Sequence, residues 1–260
     1  MSADTLMSLC QTLKLPSVAR EAVRLAEEAQ RQEQGHLEYL LQCLQAEVDE
    51  RARRRTARCL REAGFPRLKT LESFDFRRAP ALAESELRQL AAGDYLSRAE
   101  TVILLRYRSM GKPGTGKTHL AIALGVAAVE QGRRVRFVTA ARLANELLEA
   151  RDSRALSRLV GRYSRLDLLV LDELGYLPLA KADAELLFQV LSERHEQRAL
   201  VLTTNLPFAE WTTVFPDPRL CRALIDRLTH RAHIIETGTD SVRLAEARQR
   251  PRRAPAPIGS

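Results

Sequence analysis

The spacing of apolar residues changes character along this chain. Between about residues 17 and 60 they recur every three or four positions, whereas beyond residue 100 short unbroken apolar runs alternate with longer amphipathic stretches. In the first region Leu37, Leu40, Leu41, Leu44, Val48 and Ala52 form one stripe with acids and arginines between them, which predicts a long helix over about 37–60. An earlier helix is expected over 17–34, started by Pro16-Ser17 and ended at Gly35. Gly64-Phe65-Pro66 closes this helical region. A segment of mixed character follows, with Phe74-Asp75-Phe76 and a short helical stretch over about 81–92.

In the second region the runs at 102–105, 135–138, 168–171, 200–203 and 233–235 read as strands. Helices are expected between them, over about 118–131, 141–163, 183–197 and 219–231. Strands without polar alternation are buried on both faces, and their regular interleaving with helices describes a parallel sheet. The expected organisation is a helical N-terminal region at 1–66, a linker at 67–97, an α/β core at 98–245 and a tail at 246–260. Pro251, Pro255 and Pro257 stand among arginines and small residues in that tail, so disorder is expected there.

Charge changes the picture because of where it lies. The chain of 260 residues carries a net charge of +8. Residues 51–69 hold eight basic side chains and one acid, Glu62, while residues 241–260 hold five arginines and one acid, Glu246. The rest of the chain is therefore slightly acidic, and the basic surplus is confined to two flanking segments. On the long helix Arg51, Arg54, Arg55, Arg58 and Arg61 recur at helical spacing. Such a stripe suits the phosphate backbone of double-stranded DNA, and it equally suits a solvated face paired with Glu47 and Glu50. No aromatic stacking platform or zinc-finger spacing points to base-specific readout.

Several classes are disfavoured. The start, MSADTLMSLC, has no basic segment followed by an apolar one, and no apolar run approaches membrane-spanning length. Cys10, Cys43, Cys59 and Cys221 form no metal-type or disulfide-type pattern. His119, His195, His230 and His233 have no metal-ligand spacing either. A cytoplasmic protein in a reducing compartment, with no membrane partner, is expected.

The chemistry concentrates in two motifs. Gly111-Lys112-Pro113-Gly114-Thr115-Gly116-Lys117-Thr118 has the spacing of a phosphate-binding loop. Its glycines let backbone N–H groups turn toward phosphates, Lys117 can reach the β- and γ-phosphates, and the Thr118 hydroxyl can hold Mg²⁺. The helix that follows aims its positive end at the same place. The second motif is Leu-Leu-Val-Leu-Asp-Glu at 168–173. Asp172 would emerge at the carboxyl end of a buried strand and hold the water shell of Mg²⁺, and Glu173 would polarise an attacking water. Together they imply ATP and Mg²⁺ as cofactors and hydrolysis as the reaction.

Two further positions are weaker. Asn205 follows Thr203-Thr204 at the end of the fourth strand, where it could orient the attacking water or form an Asx turn before Pro207. Arg227, in Asp226-Arg227-Leu228, could reach the ATP of a neighbouring subunit or be a solvated helix arginine.

Three longer runs carry a family likeness. PGTGKTHLAIALG at 113–125, LDLLVLDELGYLPL at 166–179 and TTNLPFAEWTTVFPDPRLCRALIDRLTHRAHII at 203–235 resemble the IstB-like ATP-binding helpers of bacterial insertion sequences, with LKLPSVAREA and LESFDF as looser matches. That family belongs to the AAA+ ATPases and is similar to helicase loaders of the DnaC type. The resemblance implies a five-stranded P-loop AAA+ domain after a small α-helical N-terminal domain, homo-oligomers formed with ATP on DNA, and a partner transposase whose activity is regulated. A replicative-helicase loader, or a DNA-binding module with an impaired ATP site, are the alternatives. The resemblance also implies a γ-phosphate sensor at Asn205 and a subunit-bridging arginine at Arg227. The sequence departs from the family pattern at Arg106-Tyr107-Arg108-Ser109-Met110, five extra residues between the first strand and the loop. About 25 residues follow Ile235, too few for a full helical lid, so a second sensor arginine is not expected.

Overall fold

Alternate residues of the apolar runs at 102–105, 168–171 and 200–203 bury on opposite faces of a single sheet, which is what a period of two demands of a strand covered on both sides. The structure, a computed structural model, describes residues 3–80, 82–106, 116–176 and 178–237. Its strands are β1 (Thr101–Arg106), β2 (Val135–Thr139), β3 (Leu168–Leu174), β4 (Ala199–Thr204) and β5 (Ala232–Thr237). All pair in parallel, in the order β2-β3-β4-β1-β5. Val102, Leu104, Leu168, Val170 and Val201 face one core, and Ile103, Leu105, Leu169, Leu171 and Leu202 face the other.

The chain separates into two compact units, Met1–Arg58 and Cys59–Ser260. In the first, α1 (Ala3–Thr12), α2 (Pro16–Arg31) and most of α3 (His36–Ala63) surround a small core of Ala22, Leu25 and Cys43. The Glu47 carboxylate, on α3, accepts the Ser17 amide at 2.7 Å, so a buried acid caps the start of α2. α1, a ten-residue helix with few periodic positions, is not foreshadowed by the apolar spacing.

In the second unit α4 (Glu84–Ala91), α5 (Asp94–Ser97) and α6 (Lys117–Glu130) cover the first face of the sheet. Leu71, Phe74, Leu82, Leu87, Leu90 and Tyr95 are buried there, so the segment expected to be a linker supplies core side chains. The second face is covered by α7 (Ala140–Asp152), α8 (Leu156–Ser164), α9 (Lys181–Arg194) and α10 (Pro218–Thr229). The helices expected between 141 and 163 are α7 and α8, separated where Arg154 takes a left-handed φ of 56°. Trp211 is buried between Phe208, tilted against it at 5.4 Å between centroids, and Phe215, stacked at 5.9 Å.

Arg194 is 1 % exposed and holds the amino edge of the sheet together. Its guanidinium donates to the carbonyls of Tyr163 (2.5 Å), Leu166 (3.1 Å) and Ala199 (2.6 Å), and burial lowers its pKa to about 10.

All four cysteines are free and buried. Among the described residues no helix is long and apolar enough to cross a membrane, and no group of His, Cys, Asp and Glu has metal-site geometry. Of the five extra residues, Arg106 extends β1 and pairs with Thr237. Tyr107 to Met110, the loop residues Gly111 to Thr115 and the tail at 246–260 lie outside the described residues.

Candidate nucleotide site

The carboxyl ends of β1, β4 and β3 lie side by side, with β4 in the middle. In an open α/β sheet that edge is where ligands bind. The sequence places a phosphate-loop helix after β1, a threonine pair at the end of β4 and two carboxylates at the end of β3. The fold brings Thr118, Asp172, Thr203 and the backbone amide of Glu173 into one hydrogen-bonded cluster.

α6 begins at Lys117, and Gly116 before it takes a φ of 88°. A Cβ at Gly116 would sit 2.6 Å from the Phe74 ring, so both the backbone conformation and the close approach require glycine. Phe74 also meets His119 edge-on at 5.1 Å, and His119 Nε2 lies 3.0 Å from the Thr70 carbonyl. The LESFDF segment thereby braces the first turn of the helix. α6 is apolar on every side, which fits a helix buried between sheet and neighbours rather than a surface helix. Its first N–H groups have no intrahelical acceptor and point along the helix dipole, a favourable setting for an anion.

Asp172 is 3 % exposed at the end of β3. Its Oδ1 accepts the Thr118 hydroxyl at 3.1 Å and the Thr203 hydroxyl at 2.5 Å. Thr203 Oγ1 in turn accepts the Glu173 amide at 2.9 Å. Burial pushes the Asp172 carboxyl above the ordinary carboxylate range, while the two hydroxyls, the Glu173 amide and the Lys117 ammonium work in the opposite direction. Lys117 itself is buried at the start of α6. A desolvated carboxylate bonded to neutral hydroxyls, beside a helix N-terminus, is a donor set that fits a hard cation accompanying an anion.

Glu173 differs from its neighbour in exposure and in backbone conformation. It is exposed and takes a left-handed φ of 61°, at a point where the β3–β4 register shifts between Leu171 and Leu174. Such a bulge re-aims a side chain at the end of a strand, and strained non-glycine backbone concentrates at functional positions. Asn205 is exposed and follows Thr204 directly. Thr203 was not singled out by the sequence. Its signal was a hydroxyl in the otherwise apolar run Leu-Val-Leu, one residue short of the strand end.

Arg227 lies elsewhere. Its guanidinium donates to Ser192 and sits over the Phe188 ring at 4.7 Å, and it shares a shallow cleft with Thr101 and Leu200 at the amino ends of β1 and β4. It is therefore not part of the cluster around Asp172. In the first unit, Arg51 pairs with Glu47 at 2.8 Å, and Arg53 and Arg54 pair with Glu50 at 3.2 and 2.7 Å. Acids thus lace part of the arginine stripe.

Comparison with known proteins places this arrangement. Residues 8–250 match the family model described as IstB-like ATP binding protein. An insertion sequence IS21 putative ATP-binding protein of Pseudomonas aeruginosa is 39% identical over 93% of this chain and 89% of its own length. A putative ATP-binding protein of an insertion sequence in Geobacillus stearothermophilus is 34% identical over 92% and 93%. Among solved structures, a DnaC helicase loader matches with a TM-score of 0.52 at 18% identity, covering 64% of this chain and 96% of that one. The Aquifex aeolicus DnaA bound to AMPPCP matches with a TM-score of 0.54 at 22% identity, covering 67% and 51%. The parallel five-stranded order, the clasp between Thr118 and Asp172 and these likenesses agree, and the chain belongs to the IstB-like ATP binding protein family, built on the P-loop AAA+ fold.

Proposed function

We propose that this chain is an ATP-dependent, DNA-binding AAA+ ATPase that assembles on double-stranded DNA and regulates a partner transposase in insertion-sequence transposition. The observation that carries the nucleotide part is the 3.1 Å contact between Thr118 and Asp172, residues 54 positions apart that meet at the carboxyl edge of the sheet. Family membership supports the transposition context, because the relatives are ATP-binding proteins named for their insertion sequences.

In this reading the residues from Gly111 to Thr118 would enclose the phosphates and Lys117 would neutralise them. Thr118 and Asp172 would hold a magnesium ion, which would supply charge neutralisation for the phosphates. Glu173, aimed outward by its bulge, takes a proton from the attacking water. Asn205 orients that water. Thr203 keeps the two carboxylates in register by bonding the side chain of one and the amide of the other. Arg227 would serve a neighbouring subunit only after leaving Ser192 and Phe188. Arg231, exposed in the turn after α10 at a φ of 53°, carries less packing and is the paired candidate.

ATP turnover with and without duplex DNA tests the reading, with wild type measured against Lys117→Ala. Turnover that DNA changes in wild type and that falls to background in the variant is the expected result. Equal rates in both proteins would overturn it. In the same assay, loss on replacing an arginine that is rescued by mixing with Lys117→Ala protein would identify a residue working across subunits.

A further inference from the structure

β2 ends the sheet on one side, and among the described residues no strand pairs with its outer edge. The carbonyl of Arg134, directly before β2, accepts the amides of Asp167 and Leu168, so the backbone groups of Arg134 and, two residues on, Arg136 face β3. Those of Val135 and Phe137 face outward. A cleft of about 240 Å³ opens beside Val135, and every residue lining it belongs to the second unit. Its two walls differ in character. On one stand Cys59, near the end of α3, and Val135 itself, both part of the first core. On the other stand Arg136 and Arg162, both drawn toward Glu146 on α7, and Arg134, which shares the face of Arg136 by the period of two. Acids are too few to match these cations. Glu146 meets Arg142 at 3.1 Å and Arg136 and Arg162 at 3.8 Å each, while Asp167 is shared between Arg134 at 3.6 Å and Arg198 at 3.7 Å. Even with Glu62, which lines the cleft, five guanidiniums face three carboxylates.

We propose that this cleft binds an extended acidic segment of a partner protein, laid along the outer edge of β2. The outward N–H and C=O of Val135 supply the main-chain bonds by which a peptide adds to a sheet edge. Successive side chains of an added strand point to opposite faces, so a segment in which acidic and apolar residues alternate meets both walls at once. Its carboxylates face Arg134, Arg136 and Arg162 in charge-assisted hydrogen bonds, and its apolar residues face Cys59 and Val135. The cleft is smaller than the roughly 300–1,000 Å³ pockets that enclose small molecules, but it need hold only one side of a chain passing over it. A nucleic acid fits less well. Glu62 stands in the cleft, and the aromatic lining residue, Tyr163, is 1% exposed and offers no face on which a base could stack.

A fluorescein-labelled peptide of alternating glutamate and valine, titrated with the full chain and read by anisotropy, tests this. Saturable binding is expected, with none for the peptide that carries lysine in place of glutamate. Replacing Arg134 and Arg162 together by alanine should weaken binding about tenfold with unchanged circular dichroism, and Arg162→Ala alone should weaken it less. The strand geometry has its own readout, because an added strand turns only alternate amides toward β2. Methylating the amides of the glutamates and, separately, those of the valines should therefore block binding in one peptide and spare it in the other, whereas charge attraction alone would treat both alike. Lys117→Ala should bind the peptide like wild type, so this result stands apart from the nucleotide reading. Absence of saturable binding, equal affinity in wild type and the double alanine variant, or equal behaviour of the two methylated peptides would overturn the proposal. So would duplex DNA binding that falls in the double variant as far as peptide binding does, which would assign the cleft to nucleic acid.

Discussion

Thr203 and Asp172 show how single side chains set the behaviour proposed for the site. Replacing Thr203 by Val keeps the shape of the strand end but removes the hydroxyl that bonds Asp172 and accepts the Glu173 amide. Leaving a buried polar group without its partner costs about 1–3 kcal/mol. Thr203→Val should therefore lower turnover by about tenfold or more if that loss falls in the transition state, while Thr203→Ser should retain most of it. Asp172 makes a prediction about pH. Its carboxyl is raised in the folded protein, chiefly by burial, so between its unfolded and folded values the native state holds more protons than the unfolded one. Stability of the ligand-free protein must then fall as pH rises through that window, and the penalty is complete above the folded value. Asp172→Asn should melt at a higher temperature than wild type at neutral pH, with the difference shrinking as pH drops toward the ordinary aspartate value. The same substitution should abolish the part of the stabilisation by ATP that depends on magnesium. A melting temperature that is lower for Asp172→Asn at neutral pH would contradict the assigned desolvation.

α6 illustrates what an element contributes beyond its residues. It packs so closely on β3 that a Cβ at Gly125 would lie 2.8 Å from the Phe65 ring and 3.3 Å from Val170. Overpacking of that kind typically costs 1–3 kcal/mol. Gly125→Ala should lose about that much in urea denaturation, and adding Phe65→Leu should restore part of it. Strands and helices of the α/β unit were legible in the sequence because both faces of the sheet are covered, which leaves runs such as Leu168 to Leu171 with no polar interruption. The segment from Leu71 to Tyr95 was not legible as core. Its buried residues come from turns, a 3₁₀ turn and helices of eight and four residues, which are too short to show a period. The carboxylates and the phosphate loop could be read from spacing alone. Thr203 could not, since its role depends on the register that sets β4 beside β3, and neither could the packing of Arg227 on α9, which is a tertiary contact.

The molecule consists of an α/β unit, which carries the candidate nucleotide site, and a helical unit, which carries most of a basic stripe. A stripe of arginines on α3 contacts DNA in the proposed function, and its binding should weaken steeply as salt rises, in the way phosphate contacts do. Charge-reversing Arg54 and Arg58 together should reduce both the affinity and the slope of that salt dependence in a filter-binding or anisotropy titration. In the proposed function the start of α6 and the end of β3 form one magnesium-nucleotide site. Calorimetric titration of the full chain with a slowly hydrolysed ATP analogue tests it most directly, run with magnesium, with the metal chelated, and on Lys117→Ala and Asp172→Asn. Saturable binding that requires Lys117, and that loses its magnesium dependence in Asp172→Asn, is the expected result. Binding of equal affinity in all three proteins, indifferent to magnesium, would contradict it.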